Sequence, residues 1–276
     1  MIPVGPECRY QFVVDTIESM RYFAPKARII VVDDSLRDMG SDLSKAYPIT
    51  VVPTRVHGSY GNLYLNLSDG FLEALSQPFR VLLRLDTDAL VAGSDFEAKA
   101  LHRFDSDPGL GSLGSFRIGY NHIGIRDRTW AKRRLQTSVL SSLVARPRRS
   151  LAIIKLVLRA RRHGYRLGDG IMGGAAVYRY EAVVALRDAN LLGRGDLADT
   201  GLQEDYIFGL ALYSMGFRLD EFGDRYDDQP MGVNWNGLPA SPEELMTRGK
   251  SLIHSTKWFE DLDEEEIRRR FRFART

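Results

Sequence analysis

Apolar positions along the first 115 residues follow two alternating periods. Ala27–Val32 (ARIIVV), Ile49–Val52 and Phe79–Leu85 are short apolar runs of buried-strand length, and Met1–Val4 reads as the end of an earlier one. Between them, Phe12, Val13, Ile17, Met20 and Phe23 recur at helical spacing, as do Leu63, Leu67, Phe71, Leu72 and Leu75. Ser94 and Glu97 have the form of a capping box that opens a further helix at Asp95. Strand–helix alternation of this kind predicts an α/β fold: a mostly parallel sheet flanked by helices on both faces.

The pattern breaks at residues 117–166. Pro147 separates two helical stretches, 129–144 and 150–163, and in the second Leu151, Ile154, Leu158 and Arg162 share one side. This reads as a helical hairpin inserted in the domain. Alternation resumes with Gly173–Arg179, a helix from Glu181, and a helix over Tyr206–Met215 closed by Gly216 as its C′ residue. A loop at 224–239 carries Trp235 and two glycines, Gly232 and Gly237. Then come a helix at Pro242–Lys250, a short strand ending at His254, and a tail at 258–276. The helix expected over Leu262–Phe273 has its acids first and its arginines last, which complements a helix dipole.

Composition adds little until it is divided along the chain. With 276 residues, 44% of them hydrophobic, the chain is one large domain, 1–276, with an elaboration. A single cysteine, Cys8, excludes an internal disulfide framework and suits a reducing, cytoplasmic setting. No window approaches 18 uninterrupted apolar residues, and no secretory leader is visible. The net charge of +2 hides an asymmetry. Residues 117–166 hold 14 Lys or Arg against one acid, Asp127, so this stretch is +13 and the remainder −11. Arginines interleaved with leucines and Trp130 suit an anionic membrane surface or a phosphorylated acceptor at least as well as nucleic acid, and no nucleic-acid partner is expected. Packing on the acidic body, or on a second copy of the chain in a homo-oligomer, is the plainer reading.

The chemistry concentrates where strands end. The run FRVLLRLDTDALV stops at Asp86 and Asp88, carboxylates that cannot stay buried unpaired. Open α/β sheets keep their ligand crevice at the carboxyl ends of parallel strands. Two hard oxygen donors there suit Mg²⁺ or Mn²⁺, which in turn hold phosphates. Asp33 and Asp34 end another strand. They serve either as a local cap or, on the same sheet edge as Asp86, as a grip on a base or ribose. Glu204 and Asp205 open a helix, where acids favour the dipole and where a rigid carboxylate could act as a general base. His254 could add a third donor to the metal site, with Lys257 nearby to meet phosphate charge. Gly173 and Gly174 mark a tight strand entry or a place where a sugar approaches the backbone. The other histidines, His57 among them, read as structural.

In this order, VVDDS, LRLDTDALV, GGAAVYRYEAV, QEDYIFGLALYSMGFRL and IHSTK resemble the GT-A fold glycosyltransferases, and among them the family 2-like group. The similarity runs from about Ile2 to Lys257 and omits the basic insertion. It implies a GT-A (Rossmann-like) sheet and transfer of a sugar from a nucleotide-diphosphate sugar, UDP- or GDP-linked, to an acceptor hydroxyl. By that resemblance Asp33 and Asp34 stand where an Asp contacts the nucleotide base. Asp86 and Asp88 are the metal-binding D-x-D that holds the diphosphate, and Gly173 and Gly174 lie beside the sugar and acceptor. Asp205, in the E-D motif with Glu204, is the catalytic base of inverting members, and His254 completes the metal shell. The opening PVGPE departs from the family, because it lacks the aromatic–Asn signature after the first strand.

Two rivals use the same residues differently. A haloacid-dehalogenase-like phosphatase also carries D-x-D at a strand end, and Gly223, Asp224 and Asp228 have the spacing of its metal motif. Against it, two βα units precede Asp86 and Leu90 stands where Thr or Val is expected. A non-catalytic binder would use the basic arm alone.

Overall fold

The computed structural model describes residues 1–54, 56–116, 128–222 and 229–275. Its centre is a sheet of seven strands. Strands β1 (Ile2–Val4), β2 (Ile29–Asp33) and β3 (Ile49–Pro53) pair in parallel. Strand β4 (Val81–Leu85) continues from β1: the Met1 nitrogen donates to the Leu83 carbonyl at 2.8 Å, and the Leu85 N–H donates to the Met1 carbonyl at 3.0 Å. Beyond it lie β7 (Ala175–Arg179), β6 (Leu110–Gly114) and β8 (Arg218–Glu221), giving the order β3-β2-β1-β4-β7-β6-β8. Only β7 runs against the others. The mostly parallel sheet expected from the alternation is therefore present.

Because side chains alternate along a strand, this sheet builds a core on each face. On one face Ile29, Val31, Leu83, Leu85 and Val177 meet α1 (Tyr10–Phe23), α2 (Met39–Ala46) and α4 (Phe96–Ser106). On the other, Ile30, Val32, Leu82, Ala176 and Tyr178 meet α3 (Gly61–Ala74), α7 (Tyr180–Asp188) and α9 (Glu204–Ser214). Every residue of α9 is buried, as expected for a helix apolar on nearly all sides. Past its C-cap Met215, Gly216 takes φ +89°, and the Phe217 N–H returns to the Leu212 carbonyl, which confirms the stop read from Gly216.

A second, smaller sheet sits beside the D-x-D. After Asp88 the chain enters β5 (Ala89–Val91), which pairs antiparallel with β10 (Leu252–His254), and β10 pairs in parallel with β9 (Met231–Val233). These three-residue strands are too short to show a period, so the sequence revealed only the apolar run before His254. The register sets His254 opposite Ala89, next to Asp88. Leu90 and Ile253 face the opposite way, into a satellite cluster with Ile267 and Phe271 of α11 (Glu264–Phe273). That helix starts later than expected, after a small hairpin of β11 (Trp258–Phe259) and β12 (Leu262–Asp263). The Asp263 side chain caps it by accepting from the Glu266 N–H at 2.9 Å. Ser94 does not form the expected capping box: α4 begins after Asp95, with no side-chain cap.

The basic hairpin appears as α5 (Arg128–Ala145) and α6 (Pro147–Arg162), with Pro147 at the first helical position of α6. Residues 117–127 of the insertion lie outside the described residues. Helix α6 packs on α9 of its own body, in line with the plainer reading. The buried side differs from the expectation. Ile153, Leu156 and Ala160 enter the core, whereas Leu151 and Leu158 are each 52% exposed. Apolar residues surround much of α6, so its sequence offers two faces, and contact with α9 selects one. Among the described residues, no helix is long and apolar enough to cross a membrane.

Candidate active site

Asp86 and Asp88 leave the carboxyl end of β4 and their carboxylates are held very differently. The Asp86 backbone N–H donates to the Gly174 carbonyl at 2.8 Å, and its Oδ2 accepts from the Gly174 N–H at 3.1 Å. Below it lies Arg84, 1% exposed, whose Nε reaches Asp86 Oδ1 at 3.2 Å and whose Nη2 reaches Glu204 Oε1 at 2.8 Å. Burial disfavours the Arg84 cation, but the charges of Asp86 and Glu204 overcome this and raise its pKa above the usual arginine value. A buried guanidinium thus ties the D-x-D to the E-D motif. The sequence signal for it was one arginine inside an otherwise apolar strand, VLLRL.

Asp88 is gripped from the other side. Its Oδ2 accepts from Ser255 Oγ at 2.8 Å and pairs with Lys257 Nζ at 3.2 Å, and its Oδ1 lies 3.4 Å from His254 Nε2. The Asp88 carbonyl accepts from the Thr256 N–H at 2.8 Å. Burial pushes the Asp88 carboxyl up, but His254, Lys257 and Ser255 together hold it well below the usual carboxylate range. For His254 the signs reverse: burial lowers its pKa, the Asp88 charge raises it, and the net movement is upward. His254 Nδ1 meets the Asn234 carbonyl at 2.7 Å, which makes Nδ1 the protonated nitrogen and directs Nε2 at the carboxylates.

Ligand atoms of Asp86, Asp88 and His254 all lie within 4.8 Å of one another. Two carboxylates and an imidazole oriented by a carbonyl form a donor set that fits a divalent cation. Gly174 has φ +83°, and a Cβ there would come within 2.5 Å of the His254 ring. The glycine is therefore needed for the histidine to lie against the D-x-D.

The same cleft, about 720 Å³, is also lined by Gly173, Glu204, Asp205 and Lys257. Asp205 sits in the first turn of α9, with Oδ1 accepting from the Tyr206 N–H at 2.8 Å and Oδ2 from the Gly173 N–H at 3.3 Å. The fold thus gathers the D-x-D, the glycine pair, the E-D pair, His254 and Lys257 in one place. A second cleft of similar size lies alongside, shares Asp88 and Lys257, and is lined by Gly5, Cys8, Arg9 and Phe12.

Asp33 and Asp34 stand apart from both clefts. Both Asp33 oxygens are taken by backbone N–H groups, Ser35 at 2.9 Å and Gly40 at 2.6 Å, which is the local-cap reading. Asp34 accepts from Thr54 Oγ1 at 3.3 Å and from the Gly58 N–H at 3.1 Å, and it pairs with His57 Nδ1. His57, read from sequence as structural, is the residue that pairs with Asp34. Sequence reasoning also passed over Ser255 and Thr256, which bond the Asp88 carboxylate and carbonyl, although IHSTK contains them. Gly223, Asp224 and Asp228, the phosphatase-type motif, lie outside the described residues.

No protein-family model and no curated sequence matches the chain. Solved structures do. A mannosyltransferase from Pyrobaculum calidifontis, in complex with GDP-Man and Mn²⁺, is 17% identical over 81% of this chain and 53% of its own, with TM-score 0.45. TarS 1–349 from S. aureus, in complex with UDP-GlcNAc, is 13% identical over 90% and 62%, with TM-score 0.43. Glucosyl-3-phosphoglycerate synthase from Mycobacterium tuberculosis, in complex with Mn²⁺, UDP and glucosyl-3-phosphoglycerate, is 15% identical over 90% and 74%, with TM-score 0.42. The chain spans about half the length of the mannosyltransferase.

Proposed function

We propose that this chain is a metal-dependent glycosyltransferase that moves a sugar from a nucleotide-diphosphate sugar to an acceptor hydroxyl with inversion. The observation that carries the reading is the convergence of Asp86, Asp88 and His254 within 4.8 Å, in the same cleft as Asp205. Asp86, Asp88 and His254 would hold the cation. The imidazole donor favours Mn²⁺ over Mg²⁺, which prefers an all-oxygen shell. When bound, the cation supplies positive charge for the donor diphosphate.

The chain's own residues divide the remaining work. Lys257, half-exposed at the cleft and already turned to Asp88, adds positive charge where the diphosphate would lie. Arg84 keeps Asp86 and Glu204 in fixed positions, and the backbone at Gly173 and Gly174 lets the sugar come close. Asp205 accepts the acceptor's proton as its oxygen bonds the anomeric carbon. The carbon–oxygen bond to the diphosphate breaks, and the nucleotide leaves with the electron pair.

The test is nucleotide release from a panel of UDP- and GDP-sugars with Mn²⁺, Mg²⁺ or EDTA. Release that requires the cation and falls at least a hundredfold in Asp88→Ala and Asp205→Asn supports the reading. Full turnover in Asp86→Ala, Asp88→Ala and Asp205→Asn would end it. Retained anomeric configuration would remove Asp205 from the base role.

The outer face of α6 supports a peripheral membrane contact. Leu151 and Leu158 are exposed there, among the exposed cations Arg148, Lys155, Arg159 and Arg162.

A further inference from the structure

The catalytic cleft carries exposed aromatic rings that the transfer chemistry does not use. Tyr60, Trp130 and Trp235 line it and are 44%, 39% and 72% exposed. Trp130 sits between two tyrosines: its ring centroid is 6.3 Å from Tyr60 and 5.9 Å from Tyr206, tilted by 34° and 40°. Single exposed aromatics are ordinary on a protein surface, but three gathered in one cleft are not. Tyr60 holds its place at φ +58° and ψ −122°, a positive-φ conformation that a bulky residue rarely adopts, and such strain concentrates where a side chain has work to do.

On the glycosyl-transfer reading, we propose that the acceptor is itself a saccharide, with a pyranose ring stacked on Trp130 and Tyr60. A pyranose has an apolar C–H face and a rim of hydroxyls. The aromatic faces match the first, and the polar groups beside them, Gln203 and Asp205, match the second. An alkyl chain laid there would take those polar groups out of water with nothing to bond. A phosphorylated acceptor would set its charge against Glu204 and Asp205. The assignment also gives the basic insertion a task, because Trp130 comes from α5 and brings that hairpin to the cleft.

The experiment is direct binding, without turnover. The intact protein with Mn²⁺ and UDP or GDP is applied to a printed glycan array, and the best glycan is titrated by calorimetry. Trp130→Ala and Tyr60→Ala should each weaken that glycan about tenfold, and Trp130→Phe should retain most of the affinity. Nucleotide affinity in the presence of Mn²⁺ should stay within about twofold in all three, with unchanged melting temperatures. Three results would overturn the proposal: no glycan retained by the wild-type protein, unchanged glycan affinity in both alanine variants, or capture of dodecyl phosphate in place of any glycan. Failure of the glycosyl-transfer reading is a separate signal, the absence of Mn²⁺-dependent binding of either nucleotide.

Discussion

Arg268, on the last helix, donates a 2.5 Å hydrogen bond to the carbonyl of Thr87, the residue between Asp86 and Asp88. Its side chain is fully buried and also bonds Asp15 at 3.1 Å, the Phe12 carbonyl at 3.2 Å and Glu264 at 2.9 Å. Glu264 in turn accepts from Thr256, which also bonds the Asp88 carbonyl. Two consecutive carbonyls of the D-x-D turn are thus held from behind, and this leaves the carboxylates facing the cleft.

Replacing Arg268 should therefore loosen the turn as well as the tail. Arg268→Met leaves Asp15 and Glu264 with a buried partner missing, at a cost of about 3 kcal/mol. Denaturant unfolding would measure this. Mn²⁺ affinity, read by electron paramagnetic resonance, should fall about tenfold in Arg268→Lys, which keeps the charge but not the forked geometry. Wild-type Mn²⁺ affinity in a folded Arg268→Lys protein would show that the contact only supports the tail.

Arg84 makes a second prediction. Arg84→Met strands Glu204 in the interior and should destabilise the fold by about 3 kcal/mol. The double variant Arg84→Met/Glu204→Gln should recover part of that loss, because the unpaired charge is gone. Equal stabilities for the single and double variants would mean that the pair is not coupled.

Gly174→Ala sets a Cβ against the His254 ring at a positive φ. It should cost about 2 kcal/mol and weaken Mn²⁺ binding, whereas Gly195→Ala, with open space around it, should do neither. Thermal melts with and without Mn²⁺ report both effects.

Saturating Mn²⁺ should raise the melting temperature of the wild-type protein by mass action. Reaching a hundred times the dissociation constant stabilises the site by about 2.7 kcal/mol. EDTA should reverse the shift, and Asp88→Asn and His254→Ala should abolish it. A shift of the same size in both variants would place the cation elsewhere.

The outer face of α6 is tested by co-sedimentation with phosphatidylserine-containing vesicles at low and high salt. Binding should fall at high salt and in Leu151→Ser/Leu158→Ser, which leaves the charge intact. No binding at low salt would remove the membrane contact.

The D-x-D, the E-D pair and the glycine pair were legible because each stands where a local period stops or starts: the end of β4, the start of α9 and the entry to β7. The α/β class and the end of α9 at Gly216 were legible for the same reason. His254 was legible as a third donor beside Asp88, but the pairing that carries it there was not, because three-residue strands such as β10 and β5 leave no period to read. The buried face of α6 and the partner of His57 were equally out of reach.

Local physics runs along the chain, so most strands and helices of the main sheet, and the places where their acids fall, could be read from the residues in order. Which side of α6 is buried, that Arg84 joins Asp86 to Glu204, and that Arg268 backs the D-x-D turn were settled only when distant segments came together. Burial and charge pairing are settled between segments distant in sequence, where desolvation makes an unpaired group too costly to leave alone.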